Sequence, residues 1–158
     1  MKPLSPAEAL NKAAAYCTLC ERCNSEVSTK LTAWGVPADE QEKIIARLTS
    51  EGFINEARYC RAFVNDKVRF NRWGRIKIMA ALREKRLSKE HITAAMEQID
   101  EEAYTQALQE VIAAKRKELR GKDDYASRQK IVRHAASRGY EPARILQLVK
   151  CDGYEMDF

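Results

Sequence analysis

Three separated stretches of this chain carry the same arrangement of apolar and turn residues, and no other feature limits its fold as tightly. They are STKLTAWGVPADEQEKIIARL, MAALREKRLSKEHITAAM and VRHAASRGYEPARILQLV. In each, an apolar residue (Leu31, Leu82, Ala135) stands four before a turn residue (Gly35, Arg86, Gly139). An isoleucine then opens the next apolar stripe (Ile44, Ile92, Ile145), six positions past the turn in two copies and nine in the first. The turn residues lie 51 and 53 positions apart. Helices repeating at this spacing predict units that cannot bury their apolar faces alone and so stack on their neighbours.

A further helix precedes each pair, over Pro6–Thr18, Glu56–Phe70 and Glu101–Leu119, on the strength of apolar residues recurring every three to four positions. Ser88 is placed to cap the helix that follows it, with Glu90 in the first turn, and Asn24-Ser25 suggests another cap. Strand-like alternation is absent. The expected fold is all-α, with three tandem three-helix units in an elongated, curved, solenoid-like arrangement. The units are expected at residues 1–52, 53–99 and 100–150, with a C-terminal tail at 151–158.

Composition narrows the functional classes. The chain is 45% hydrophobic and 32% charged, which suits a folded protein with a core. No apolar run approaches the ~18 residues of a membrane span, and Glu8 and Asn11 interrupt any signal-peptide core at the N-terminus. A cytoplasmic, monomeric protein without a membrane partner is expected.

Three of the five cysteines, Cys17, Cys20 and Cys23, recur at intervals of three. On one continuous helix each would sit ~300° beyond the last, so the thiolates converge only if the helix ends near Cys20. A zinc ion would also need a fourth ligand from Cys60, His91, His134 or Cys151, none at zinc-knuckle spacing. Buried thiols acting as small apolar side chains are the preferred reading, with a metal or redox centre as the alternative. Neither histidine has a partner pattern for nucleophilic catalysis, and there is no glycine-rich phosphate loop. The expectation is no catalytic residue, no cofactor and no metal.

The formal net charge is +5, and the positive charge is unevenly spread. KVRFNRWGRIK holds Lys67, Arg69, Arg72, Arg75 and Lys77 without an acid. KRKELRGK holds Lys115, Arg116 and Lys117, and Arg128 and Arg133 follow in the last unit. Residues 38–57, by contrast, are net acidic. Any one such run is ordinary helix-surface solvation; their recurrence suggests a basic track that attracts phosphates. Trp73 could stack on a base or plug a helix junction, and its neighbour Gly74 favours the junction.

Several stretches resemble the RecX family of RecA modulators, over nearly the whole chain. GFINEARYCRAFV is similar to a family stretch through Gly52, Phe53, Ile54, Asn55, Glu56, Arg58, Tyr59 and Cys60. WGRIKIMAALREKRLS matches another through Gly74, Ile78, Leu82, Lys85, Arg86 and Leu87, and ASRGYEPARI a third through Arg138, Gly139 and Tyr140. Departures include Cys60 in place of alanine, Arg86 in place of glycine, and a longer first turn. The resemblance implies a non-catalytic regulator that lodges in the RecA–single-stranded DNA filament and modulates recombination and DNA repair, with inhibition the expected sign. The ten basic residues named above would then meet the filament or its single-stranded DNA. A general nucleic-acid-binding helical protein without a recombinase partner is the alternative.

Overall fold

The computed structural model describes residues 4–149, so the tail expected at 151–158 lies outside the described residues. Among these there are nine α-helices and no strand: α1 (Pro6–Leu19), α2 (Asn24–Ala33), α3 (Ala38–Ser50), α4 (Glu56–Arg69), α5 (Arg75–Glu84), α6 (Lys89–Glu97), α7 (Glu101–Glu118), α8 (Tyr125–Ser137) and α9 (Pro142–Leu148). They fall into three like triplets, each a leading helix followed by a helix–turn–helix pair.

The repeated turn has one physical form in all three copies. Gly35, Arg86 and Gly139 each adopt a left-handed backbone, at φ 79°, 60° and 96°. Their N–H groups donate to Thr32, Arg83 and Ala136 carbonyls at 3.0, 3.0 and 2.9 Å. The next residues, Val36, Leu87 and Tyr140, donate back to Leu31, Leu82 and Ala135 at 2.9, 3.4 and 3.4 Å. This is the Schellman closure, which satisfies carbonyls the helix end would otherwise orphan. Val36, Leu87 and Tyr140 are buried, and so are Leu31, Leu82 and Ala135 beneath them. Ile44, Ile92 and Ile145 are buried as the pattern requires.

Helix starts are set by local chemistry. Ser5, Asn55, Ser88, Asp100 and Asp124 each accept a backbone N–H from three residues on. At α2 the cap position falls on Cys23, one residue before the expected Asn24-Ser25. There the Glu26 carboxylate accepts from the Cys23 N–H at 3.1 Å.

The helices fall into two compact units whose boundary cuts through the second triplet. The first comprises Met1–Ala62 with Leu82–Ala95; the second comprises Phe63–Ala81 with the chain from Met96 onward. In the first, α1, α2 and α3 pack on one another around Ala9, Ala13, Val27, Leu31, Ile44 and Leu48. Each fully buried leucine there contributes about 1.5–3 kcal/mol. Three polar links join α2 and its approach to the second triplet: Arg58 to Glu21, Asn24 to Glu56, and Lys85 to Glu26 at 3.0 Å. In the second unit α8 packs on both α7 and α9, with Tyr104, Leu108, Ile131, Val132 and Tyr140 in the core.

Candidate functional site

All ten basic residues expected to meet a partner fall in the second compact unit. Lys67 and Arg69 lie in the last turn of α4, and Arg75 and Lys77 open α5 with Arg72 in the turn between. Lys115, Arg116 and Lys117 lie in the last turn of α7, while Arg128 and Arg133 are on α8. Cations in a last helical turn also favour the helix dipole, so position alone does not make them contacts.

Several of the ten are already engaged within the chain. Arg75 is the most committed: its side chain is 21% exposed and binds Glu141 at 3.0 Å and Glu101 at 2.5 Å. Its backbone N–H donates to the Tyr104 hydroxyl at 3.0 Å, and its guanidinium lies 4.1 Å from the centre of the Tyr104 ring. Tyr104 in turn donates to Glu141, and Arg144 reaches Glu101 at 2.5 Å. Burial pulls the Arg75 pKa down, but its hydrogen bond to Glu141 and the surrounding carboxylates outweigh that and raise it. Burial pushes the Tyr104 hydroxyl up, so it is a donor at neutral pH. Arg75 thus ties the start of α5 to α7 and to the start of α9.

Arg72 pairs with Glu110 at 2.7 Å, Lys115 with Glu118 at 3.1 Å, and Arg128 with Asp123 at 3.4 Å. Arg69 binds the Asn65 amide oxygen at 2.8 Å. Lys67 and Lys77 take another course: each ammonium lies 4.5 Å from the centre of the Trp73 ring. Trp73 also meets Phe63 edge-on, with ring centres 6.4 Å apart, so it plugs a junction rather than standing free. Among the described residues, Lys67, Lys77, Arg116, Lys117 and Arg133 have no carboxylate at ion-pair distance. Arg116, Lys117 and Arg133 are exposed.

The thiols are packed. Cys17, Cys23 and Cys60 are buried, and only Cys20, in extended backbone just past α1, is exposed among the described cysteines. Burial pushes all three buried thiols up, Cys60 to about 11, the opposite of what a thiolate ligand or nucleophile needs. No three His, Cys, Asp or Glu side chains converge as metal ligands among the described residues. A shallow groove beside α1 and α3, lined by Leu10, Lys43, Ile44 and Arg47, holds no nucleophile paired with a base.

Sequence reasoning missed two features of this region. Glu101, Tyr104, Glu141 and Arg144 gather on Arg75 from positions 26 to 69 residues away in the chain, which no local pattern reports. Phe70 lies seven after Phe63, which on a continuing helix would return it to the apolar face. Instead α4 ends at Arg69, and Phe70 is 74% exposed.

Like helical triplets closed by the same turn define the class: an all-α protein of tandem three-helix domains. The comparisons agree. Residues 9–48, 55–96 and 101–149 match the first, second and third three-helix domains of RecX, respectively. The chain belongs to the RecX family.

Relatives described as regulatory protein RecX include one from Mycobacteroides abscessus, 34% identical over 52% of this chain and 40% of that protein's length. Another, from Prosthecochloris aestuarii, is 27% identical over 89% of this chain and 90% of the relative. A crystal structure of RecX from Lactobacillus salivarius shares the fold at a TM-score of 0.79, with 17% identity over 92% of this chain and 94% of that one. No helix among the described residues is long and apolar enough to cross a membrane.

Proposed function

We propose that this chain is a non-catalytic regulator that binds the RecA–single-stranded DNA filament and modulates recombinase activity, with inhibition the expected sign. It acts as a cytoplasmic monomer without a cofactor, its units divided near residues 52 and 99. Family membership across all three domains carries this reading. The cations with no internal carboxylate support it: Arg116, Lys117 and Arg133 are exposed, and Lys67 and Lys77 sit around Trp73. Ammonium and guanidinium groups left unpaired on a folded surface are available to phosphates or to a partner's carboxylates. Arg75, in this reading, shapes the surface rather than touching the partner.

Co-sedimentation with pre-formed RecA filaments, compared with naked single-stranded DNA, tests the proposal. Retention on filaments at a salt concentration that releases the protein from naked DNA is the expected result. Equal binding to both, with the same salt slope, would favour a general nucleic-acid-binding protein instead.

A further inference from the structure

Phe70 is the most conspicuous apolar side chain of the second unit, and it is held rather than left loose. Its N–H donates to the Asp66 carbonyl at 2.8 Å, and the Trp73 N–H closes onto Lys67 at 2.9 Å. Between them Arg72 takes a left-handed backbone, at φ 51°. The Arg138 guanidinium donates to the carbonyls of Asn71 and Arg72, and the Gly74 N–H returns a bond to the Arg138 carbonyl at 2.8 Å. The turn that displays Phe70 is therefore fixed from both ends.

The stretch of chain that carries Phe70 is basic. The eleven residues KVRFNRWGRIK hold five bases and no acid. Since Lys67 and Lys77 each stand 4.5 Å from one ring centre, their ammonium groups are no further apart than twice that distance. Neither has a carboxylate partner among the described residues. Trp73 is occupied by these two cations and by Phe63, so its ring is not the face offered outward.

We propose that Phe70 is a stacking platform for one unpaired base of a single-stranded nucleic acid whose backbone phosphate is taken by Lys67 and Lys77. An aromatic ring beside cations is how proteins hold single strands without reading sequence, because every base has a stackable face. Presentation on a pinned turn lowers the ordering cost of the contact. An acidic protein surface would satisfy the lysines alone, whereas a single strand uses both them and the phenyl ring three residues after Lys67. The inference rests on the nucleic-acid half of the proposed function and assigns it a residue.

The test uses the full chain and an unlabelled thymidine oligonucleotide, followed by quenching of the protein's tryptophan fluorescence. A second oligomer of equal length carries abasic sugars only. Phe70→Ala is expected to weaken binding to the thymidine oligomer about tenfold and to leave abasic binding unchanged. Phe70→Trp should retain affinity. Lys67→Gln with Lys77→Gln should weaken both oligomers and lower the salt slope by about one.

Equal affinity of Phe70→Ala and the parent chain for the thymidine oligomer would overturn the inference. So would a loss confined to recombinase filaments, which would assign Phe70 to a protein contact. Circular dichroism of each variant guards against misfolding. Failure of the parent chain to prefer filaments over naked DNA rejects the proposed recombinase partner without touching this result.

Discussion

Gly74 and Gly139 pack backbone against backbone. A Cβ built on Gly74 would overlap the Gly139 carbonyl group and the Tyr140 nitrogen, and one on Gly139 would lie 3.0 Å from the Gly74 carbonyl oxygen and 2.6 Å from the Lys77 nitrogen. The Ile76 N–H also donates to the Gly139 carbonyl at 3.0 Å. The start of α5 and the turn after α8 thus meet at the distance only glycine permits, beside Arg75 and its partners.

Gly74→Ala should therefore destabilise the protein by about 3 kcal/mol or more, because the obstruction is backbone and cannot swing aside. Gly35→Ala is the control. Its site is left-handed, unlike that of Gly74, but open, with nothing within 4 Å of an added Cβ, so only the backbone strain of about 1 kcal/mol applies. Urea unfolding of the two variants should separate them clearly.

Arg86 occupies the turn position that is glycine in the other two copies, at φ 60°. Arg86→Gly should remove left-handed strain while adding freedom to the unfolded chain, for a net gain of about 0.5–1 kcal/mol. A loss of stability in urea would show that the Arg86 side chain contributes more than its backbone costs.

The engaged and unengaged cations should behave differently under substitution. Arg75→Gln removes the guanidinium that Glu141 and Glu101 share, leaving them Arg144 and the Tyr104 hydroxyl, and should cost about 1.5–3 kcal/mol. Any loss of filament binding in that variant should track its lowered melting temperature. Combined Arg116→Gln, Lys117→Gln and Arg133→Gln should weaken binding with the melting temperature within a degree or two of the parent. Equal thermal losses in both variants would contradict this division between structural and available cations.

Acid should destabilise the fold in two stages. Burial, with Lys115 and Arg138 adding repulsion and Glu118 opposing it, lowers the His134 pKa, so the fold favours the neutral ring. The unfolded chain then takes up this proton first, and stability falls as pH drops through about 6.5 toward the lowered folded value. Glu101 titrates later. The hydrogen bond from Arg144, aided by Arg75, holds its carboxyl below the usual range. Its contribution is complete above about pH 4.3 and is lost as pH falls through the depressed value. His134→Gln should remove the first stage in a melting-temperature profile. Glu101→Gln should reduce the second without abolishing it, because Glu110 and Asp124 are also lowered, by Arg72 and by Ser127.

The repeat was legible because its signal is local. A buried residue, a left-handed position and a buried isoleucine recur within one helix–turn–helix, and each is dictated by neighbours a few positions away. Ser88 as a cap was legible for the same reason. The α2 start fell one residue away because its free N–H groups find other partners: Glu26 takes that of Cys23, and Glu56, 32 residues on, takes that of Asn24, which no local pattern reports.

The amino-acid order by itself determined the all-α class, the three helical triplets and the basic character of the Lys67–Lys77 and Lys115–Lys117 runs. Only the tertiary structure decided which of those cations remain available. Arg72 and Arg75 find Glu110, Glu101 and Glu141, whereas Lys67 and Lys77 find an aromatic ring. It likewise turned Phe70 out to solvent by ending α4 at Arg69. The physical reason is range. Helices and turns are closed by hydrogen bonds three to five residues apart, but a charge is neutralised by whichever opposite group the packed fold brings within ion-pair distance.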